Sequence, residues 1–381
     1  GVERCLFGNG KELHFKKLMD FDTIGGKSNK NGARFDLDAM HVNWLGLSLK
    51  CYLPKSENSL SYVWESLKGK ISYCNIKRLM FSSGWRYYAE IVVSGDAPTR
   101  VLIGTSTMGI DPGVSTIAGV SEDACVLEEL APNAIQYEKK IQKISQRMDR
   151  SRRISNPNKY NEDGTINRSN RDPWKYSKNY VKMCRLLKSL YRKKHAYIVD
   201  SHRKLCNKLI TIAKYFPVEK MHFQALQKKA KETRRQEKKT EVKQRDGTVK
   251  VIQKYKRKKR FGRSINRRAP ARFLLELKRK AEAVGGVYAE VDTKEFKASQ
   301  YNHVTDTYEK IPLSQREKEI GKRKVQRDLY SAFLIRNADL DFKHPDREKC
   351  EYEFEHFAKM QDQLILKMKE SGLSMRQCFG F

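Results

Sequence analysis

TMGIDPGVSTIAGVS, residues 107–121, reads as a short apolar strand, a tight turn at Asp111-Pro112-Gly113 and a second apolar strand. Neither strand alternates cleanly between apolar and polar residues, which predicts a sheet covered on both faces. Asp111 ends the first strand just before the turn. Two more acids have comparable settings. Glu219 ends a strand in YFPVEKMHFQALQ, residues 215–227, and Asp328 sits in KVQRDLYSAFLIRNA, residues 324–338, a helix otherwise built from apolar and basic residues. Singly, each has an ordinary role: a turn former before Pro-Gly, a solvated strand end or helix N-terminal charge, and a partner for Arg327 or Arg323. Together they suggest more, because charge at the ends of buried strands is costly unless it binds something. Three converging carboxylates repel one another and want a cation, and oxygen-only ligands suit magnesium or manganese. Two such ions, about 4 Å apart, clamp the attacking and leaving oxygens of a phosphodiester.

The rest of the chain fits that substrate. Its 381 residues carry 78 Lys and Arg against 45 Asp and Glu, a net charge of +33. Such a surface attracts polyanions, and nucleic acid gains further from counterion release. An anionic membrane would favour a short basic amphipathic helix over charge spread along the whole chain. No apolar run is long enough to span a bilayer, and no signal pattern opens the chain. Gly1 in place of Met suggests a processed chain or a fragment. The eight cysteines are scattered, with no CxxC pair, which argues against a zinc ribbon and for reduced thiols in a cytoplasmic setting.

Residues 1–106 read mostly as strands, at 12–17, 33–38, 43–53, 70–81 and 85–94, and suggest an antiparallel barrel or sandwich. The 70–81 and 85–94 pair is the clearest hairpin. Residues 137–153 and 175–214 read as helices joined by a loop-like stretch, SNPNKYNEDGTINRSNRDPW. Between Lys139 and Lys204 there are 20 Lys and Arg against 5 acids, so one face of this hairpin is a basic rod. Residues 228–268 hold 19 Lys and Arg against 4 acids and read as a solvated, partly disordered tract able to order on nucleic acid. Helices follow at 269–286, 324–338 and 347–371. A strand lies within 285–293, and residues 294–322 are polar and irregular.

The three acids, in the order strand, later strand, late helix, resemble the RuvC-type ribonuclease H fold. GIDPGVSTIAGV looks like its first motif, VEKMHF its second and VQRDLYSAFLIRNA its third. The pattern is most similar to the TnpB proteins of bacterial insertion sequences and to miniature type V CRISPR nucleases. The resemblance covers 107–338 well and 40–106 weakly. It implies an α/β fold: a RuvC-like domain over 107–338 with a basic helical insertion at 138–213 and a target-nucleic-acid-binding insert at 293–323. A mainly-β wedge-type barrel over 1–106 would precede it, and a helical tail over 339–381 would follow.

The implied activity is RNA-guided DNA cleavage by two Mg²⁺ or Mn²⁺ ions on Asp111, Glu219 and Asp328. Guide RNA would supply specificity by base pairing, and target DNA would be the substrate. The implied location is the bacterial cytoplasm, with the nucleoid when DNA is bound. Expected nucleic-acid contacts are Arg147, Arg152, Arg153, Lys188, Arg192, Lys193, Lys228, Lys229, Arg257, Lys258, Lys259, Arg260 and Arg327.

The sequence departs from the family twice. KASQYNHVTDTYEKIPLSQREKEIGKRK lacks the usual four cysteines, so no zinc is expected and the insert either folds without it or has degenerated. Gly1 also begins too late for the family's first strand and helical recognition region. The rival classes are a non-cleaving RNA-guided DNA-binding protein, from which a triad acid is often lost, and an actin-like phosphotransferase. The latter needs a second Asp-x-Gly loop, and Asp246-Gly247 lies in a charged tract.

Overall fold

The computed structural model describes residues 21–81, 83–98, 101–162, 164–227, 235–243, 248–255, 261–312 and 314–372. It is a mixed α/β protein of two compact units, Gly1–Arg100 with Lys139–Lys193, and Val101–Glu138 with Lys194–Phe381. The expected strand at 12–17 lies outside the described residues.

In the first unit, strands β1 (Thr23–Gly25), β2 (Arg34–Asp36), β3 (His41–Trp44) and β4 (Leu47–Lys50) precede helix α1 (Glu57–Leu67) and the long hairpin β5 (Lys70–Phe81) and β6 (Gly84–Ser94). They form two three-stranded sheets, β1-β5-β6 and β2-β3-β4. Among the described residues no strand pairing joins these sheets, so the expected closed barrel is not what is seen. One physical reason is local. Leu45 and Gly46 adopt φ of 46° and 80°, which folds the anticipated 43–53 strand back on itself as the β3–β4 hairpin. The sheets and α1 share a core of Ala33, Phe35, Val42, Leu67 and Cys74.

The second unit is built on one sheet. Its strands are β7 (Ser106–Thr107), β8 (Gly109–Pro112), β9 (Thr116–Val120) and β10 (Cys125–Glu129). After helices α2 (Ala134–Ser155) and α3 (Lys178–Ile212), whose distal portions belong to the first unit, comes β11 (Ala213–Glu219). Then follow α4 (Phe223–Gln227), strands β12 (Arg235–Lys243) and β13 (Val249–Tyr255), helices α5 (Gly262–Arg268) and α6 (Pro270–Ala283), and β14 (Val287–Val291). The sheet order is β10-β9-β8-β11-β14. β8, β9 and β10 pair antiparallel, while β11 runs parallel to both β8 and β14.

The sheet is covered on both faces, as the missing alternation predicts. Ile110, Ile117, Phe216 and Val218 face a core shared with Leu205 and Leu209 of α3 and Phe273 and Leu277 of α6. Ala118, Val120 and Leu127 face a second core with Leu329, Phe333 and Phe357.

That second core is closed by the C-terminal elements: α7 (Thr293–Phe296), hairpin β15 (Tyr301–Asn302) and β16 (Thr307–Tyr308), hairpin β17 (Glu317–Ile320) and β18 (Arg323–Gln326), α8 (Arg327–Arg336) and α9 (Arg347–Glu370). The insert expected to be irregular is thus two short hairpins. They are pinned by buried polar contacts. His303 Nδ1 lies 2.8 Å from the Tyr330 hydroxyl, and Lys318 Nζ donates to the carbonyls of Gln300 at 3.1 Å and Tyr301 at 2.7 Å. Within the tract expected to be partly disordered, the described residues form strands β12 and β13, which pair antiparallel. Val249, Val251 and Ile252 carry the strand propensity that the surrounding lysines obscure.

Candidate active site

Asp111 is brought to its place by period-two geometry. Ile110 points into the core shared with α3 and α6, so Gly109 and Asp111 point to the opposite face, on which α8 packs. Gly109 is what permits the close approach, because a side chain there would collide with the backbone of Ala332 and Arg336. On the neighbouring parallel strand Val218 is paired with Ile110. Glu219 therefore falls beside Asp111, on the same face and at the same C-terminal edge of the sheet. Asp328 enters from above, in the first turn of α8. Gln326 caps that helix: its side-chain oxygen accepts from Leu329 N–H at 2.7 Å, and its own N–H donates to the Gln361 side chain at 2.7 Å.

The three acids feel one another. Burial and the charges of Glu219 and Asp328 push the Asp111 carboxyl well above its ordinary range, and Asp111 and Glu219 share a hydrogen bond. Glu219 is raised too, by burial and by Asp328. Like charges packed together disfavour each other's ionised form.

Asp328 has different company. Its Oδ2 accepts from Arg316 Nη1 at 3.1 Å, and its Oδ1 from Arg327 Nη2 at 3.1 Å and Nε at 3.3 Å. Of the two partners foreseen from sequence, Arg327 is there, while Arg323 instead pairs with Glu355 at 2.8 Å and Asp362 at 3.7 Å. Arg316 was not foreseen. It is twelve residues from Asp328 in sequence but is returned to it by the β17–β18 hairpin, and Arg327 N–H donates to its carbonyl at 2.8 Å.

The donor set suits a divalent cation chemically: it is half-buried, oxygen-only and acidic. As arranged, no group of three or more His, Cys, Asp or Glu among the described residues is poised to hold a metal. Asp111 and Glu219 are the available pair, and Asp328 is engaged by guanidinium groups.

The expected nucleic-acid contacts divide three ways. Arg147 and Lys193 are exposed. Others are engaged within the first unit. Arg152 and Arg153 both pair with Asp149, at 2.8 and 2.9 Å, and lie over the Trp174 and Tyr160 rings. Lys188 lies over Trp85, and Arg192 lies 3.7 Å above Phe81 while donating to the Met80 carbonyl. Arg327 is 9 % exposed and occupied by Asp328 and the Gln315 carbonyl. Lys228, Lys229, Arg257, Lys258, Lys259 and Arg260 lie outside the described residues. His222, three residues after Glu219, is exposed, and His303 is buried in the insert.

No family model matches the sequence, and no curated protein does. Among solved structures, the chain is similar to a Cas12f1-sgRNA-target DNA complex, with a TM-score of 0.41 at 12 % identity, covering 74 % of this chain and 48 % of that one. It is also similar to a CRISPR-Cas12f ternary complex, with a TM-score of 0.29 at 13 % identity, covering 83 % and 51 %. The chain spans about half the length of each. At these scores the likeness adds nothing to the geometry of the site.

Proposed function

We propose that this chain is a divalent-metal-dependent DNA endonuclease of RuvC type, guided by RNA and related to the TnpB proteins. The observation that carries the reading is the meeting of Asp111 on β8, Glu219 on β11 and Asp328 on the late helix α8 of one unit. That is the order the sequence resemblance implies. A Mg²⁺ or Mn²⁺ pair bound there would supply Lewis-acid activation of water and stabilisation of the departing oxygen.

This chain's residues do the rest. Asp111 and Glu219, neighbours on adjacent strands, would hold the ions through their carboxylate oxygens. Asp328, in the first turn of α8, would add an oxygen once its arginine partners yield it. α8, packed on the sheet, holds the distance between them. The net charge of +33 draws the nucleic acid in. The guide RNA and target DNA follow from the resemblance and from that charge.

The Arg316 and Arg327 contacts to Asp328 favour a second reading, a non-cleaving RNA-guided DNA-binding protein. One experiment separates the two. The chain is co-expressed with RNA, the co-purifying RNA is sequenced, and matched DNA is offered with Mg²⁺ or Mn²⁺. Cut product that disappears in Asp111→Ala while RNA stays bound supports the nuclease. Binding without cleavage in both metals supports the second reading, and equal cleavage by Asp111→Ala refutes the assigned site.

A further inference from the structure

Asp328 is held by two arginines of unlike standing. Arg327 is nearly enclosed, and its Nη1 is also committed to the Gln315 carbonyl at 3.2 Å. Arg316 is 29 % exposed, and among the described residues its one side-chain bond is to Asp328 Oδ2 at 3.1 Å, an oxygen that also accepts from Gln326 Nε2 at 3.4 Å. A guanidinium has five N–H donors in a fork that suits phosphate as well as carboxylate. Arg316 therefore presents unused donors to solvent at the mouth of the acid cluster. It is carried by the insert, one residue before β17, and not by the sheet or by α8.

From this placement we infer that Arg316 is a phosphate-released latch on Asp328. Without nucleic acid it occupies Oδ2 in a carboxylate–guanidinium pair, although Asp328 already lies within electrostatic reach of Asp111 and Glu219. A phosphodiester arriving along the insert takes over the guanidinium, and Oδ2 becomes available beside the other two acids for a divalent cation, while Arg327 keeps Oδ1. Cation binding and nucleic-acid binding then favour each other, through an exchange of ion pairs with no large motion required. Premature loading with metal is disfavoured by the same exchange. The inference rests on the metal-site reading above.

The test is direct Mn²⁺ binding, measured by the electron paramagnetic resonance of free Mn²⁺ at neutral pH with no DNA or RNA present. Arg316→Gln should bind Mn²⁺ about tenfold more tightly than the wild type. Lys322→Gln, which removes the same charge from the turn of the β17–β18 hairpin, should leave the affinity unchanged. Oligothymidylate should tighten Mn²⁺ binding to the wild type by a similar factor and have little effect on Arg316→Gln, because binding linkage is reciprocal. Circular dichroism confirms that the variants are folded.

Adding Asp111→Asn to Arg316→Gln should abolish tight binding. If it does, and Arg316→Gln alone still matches the wild type, the latch is overturned and the metal site stands. Equal tightening by Lys322→Gln also overturns the latch, since bulk charge then explains it. Mn²⁺ binding indifferent to Asp111→Asn overturns the metal-site reading and the latch together.

Discussion

Acid should loosen the insert through His303. This side chain is 1 % exposed, packs with its ring centroid 4.7 Å from that of Phe354, and has its Nδ1 2.8 Å from the Tyr330 hydroxyl. Burial lowers its pKa from 6.5 to about 4, with Arg347 and Lys318 adding to the effect and Glu351 opposing it. The unfolded chain takes up a proton below 6.5 that the folded chain refuses, so the stability is present above 6.5 and is lost as pH falls through 4. The gap between 6.5 and about 4 is worth ~3 kcal/mol in full, and about 2.5 kcal/mol should already be gone at pH 4.5.

His303→Phe keeps a ring against Phe354 and leaves the Tyr330 hydroxyl the backbone N–H of residue 303, 3.2 Å away. It should cost about 1 kcal/mol at pH 7.5 through the lost hydrogen bond. The assay is urea unfolding at pH 7.5 and 4.5, with amide exchange over 301–326 reporting on the insert itself. His202, also lowered to about 4 by burial, titrates equally in both proteins and cancels in the comparison. If wild type and variant lose the same stability between the two pH values, the argument from His303 is wrong.

Gly109→Ala forces a methyl group into the backbone of Ala332 and Arg336; it should cost about 1–3 kcal/mol in thermal unfolding and abolish cleavage by moving α8 off the sheet. Asp111→Asn should raise the unfolding midpoint by a few degrees at pH 8 in EDTA, about 1–2 kcal/mol. The raised carboxyl of Asp111 means that its ionised form penalises the fold as pH rises through that pKa, so the advantage should vanish in acid, and scanning calorimetry at pH 4 and 8 checks it. Arg336→Met leaves Glu353, its half-buried partner, without that guanidinium, and should cost about 3–5 kcal/mol by urea unfolding; Glu353→Gln added to it should restore part of that.

Those outcomes depend on features of unequal legibility in the sequence. The strand–turn–strand at 107–121 was readable because two-sided burial erases alternation, and β8 and β9 lie within it; the turn, however, falls at 113–115 and not at Asp111-Pro112-Gly113, because Asp111 and Pro112 are still paired with Ala118 and Ile117. Glu219 was readable as a strand end and is the last residue of β11. The long hairpin of β5 and β6 was readable from its turn residues. The Leu45-Gly46 turn was hidden because Leu rarely takes a positive φ. Helix α1 was hidden among serines, although Ser56 stands at its N-cap position. Arg316 could not be found from helical spacing, since a hairpin, and not a helix, returns it to Asp328. Lys and Arg counts marked the stretch that holds α2 and α3 as basic. They could not show that Arg152, Arg153 and Arg192 are spent on Asp149, on aromatic rings and on a carbonyl.

Asp328 and Tyr330 lie two residues apart in the first turn of α8. One belongs to the acid cluster and the other anchors His303 of the insert, so a single helical turn serves both. The insert is therefore not an interchangeable module. A graft from another protein would have to supply its own neutral ring for the Tyr330 hydroxyl, or the helix start would shift and take the third carboxylate with it. Drift in the insert and drift at the site must stay in step, even at positions that never meet substrate.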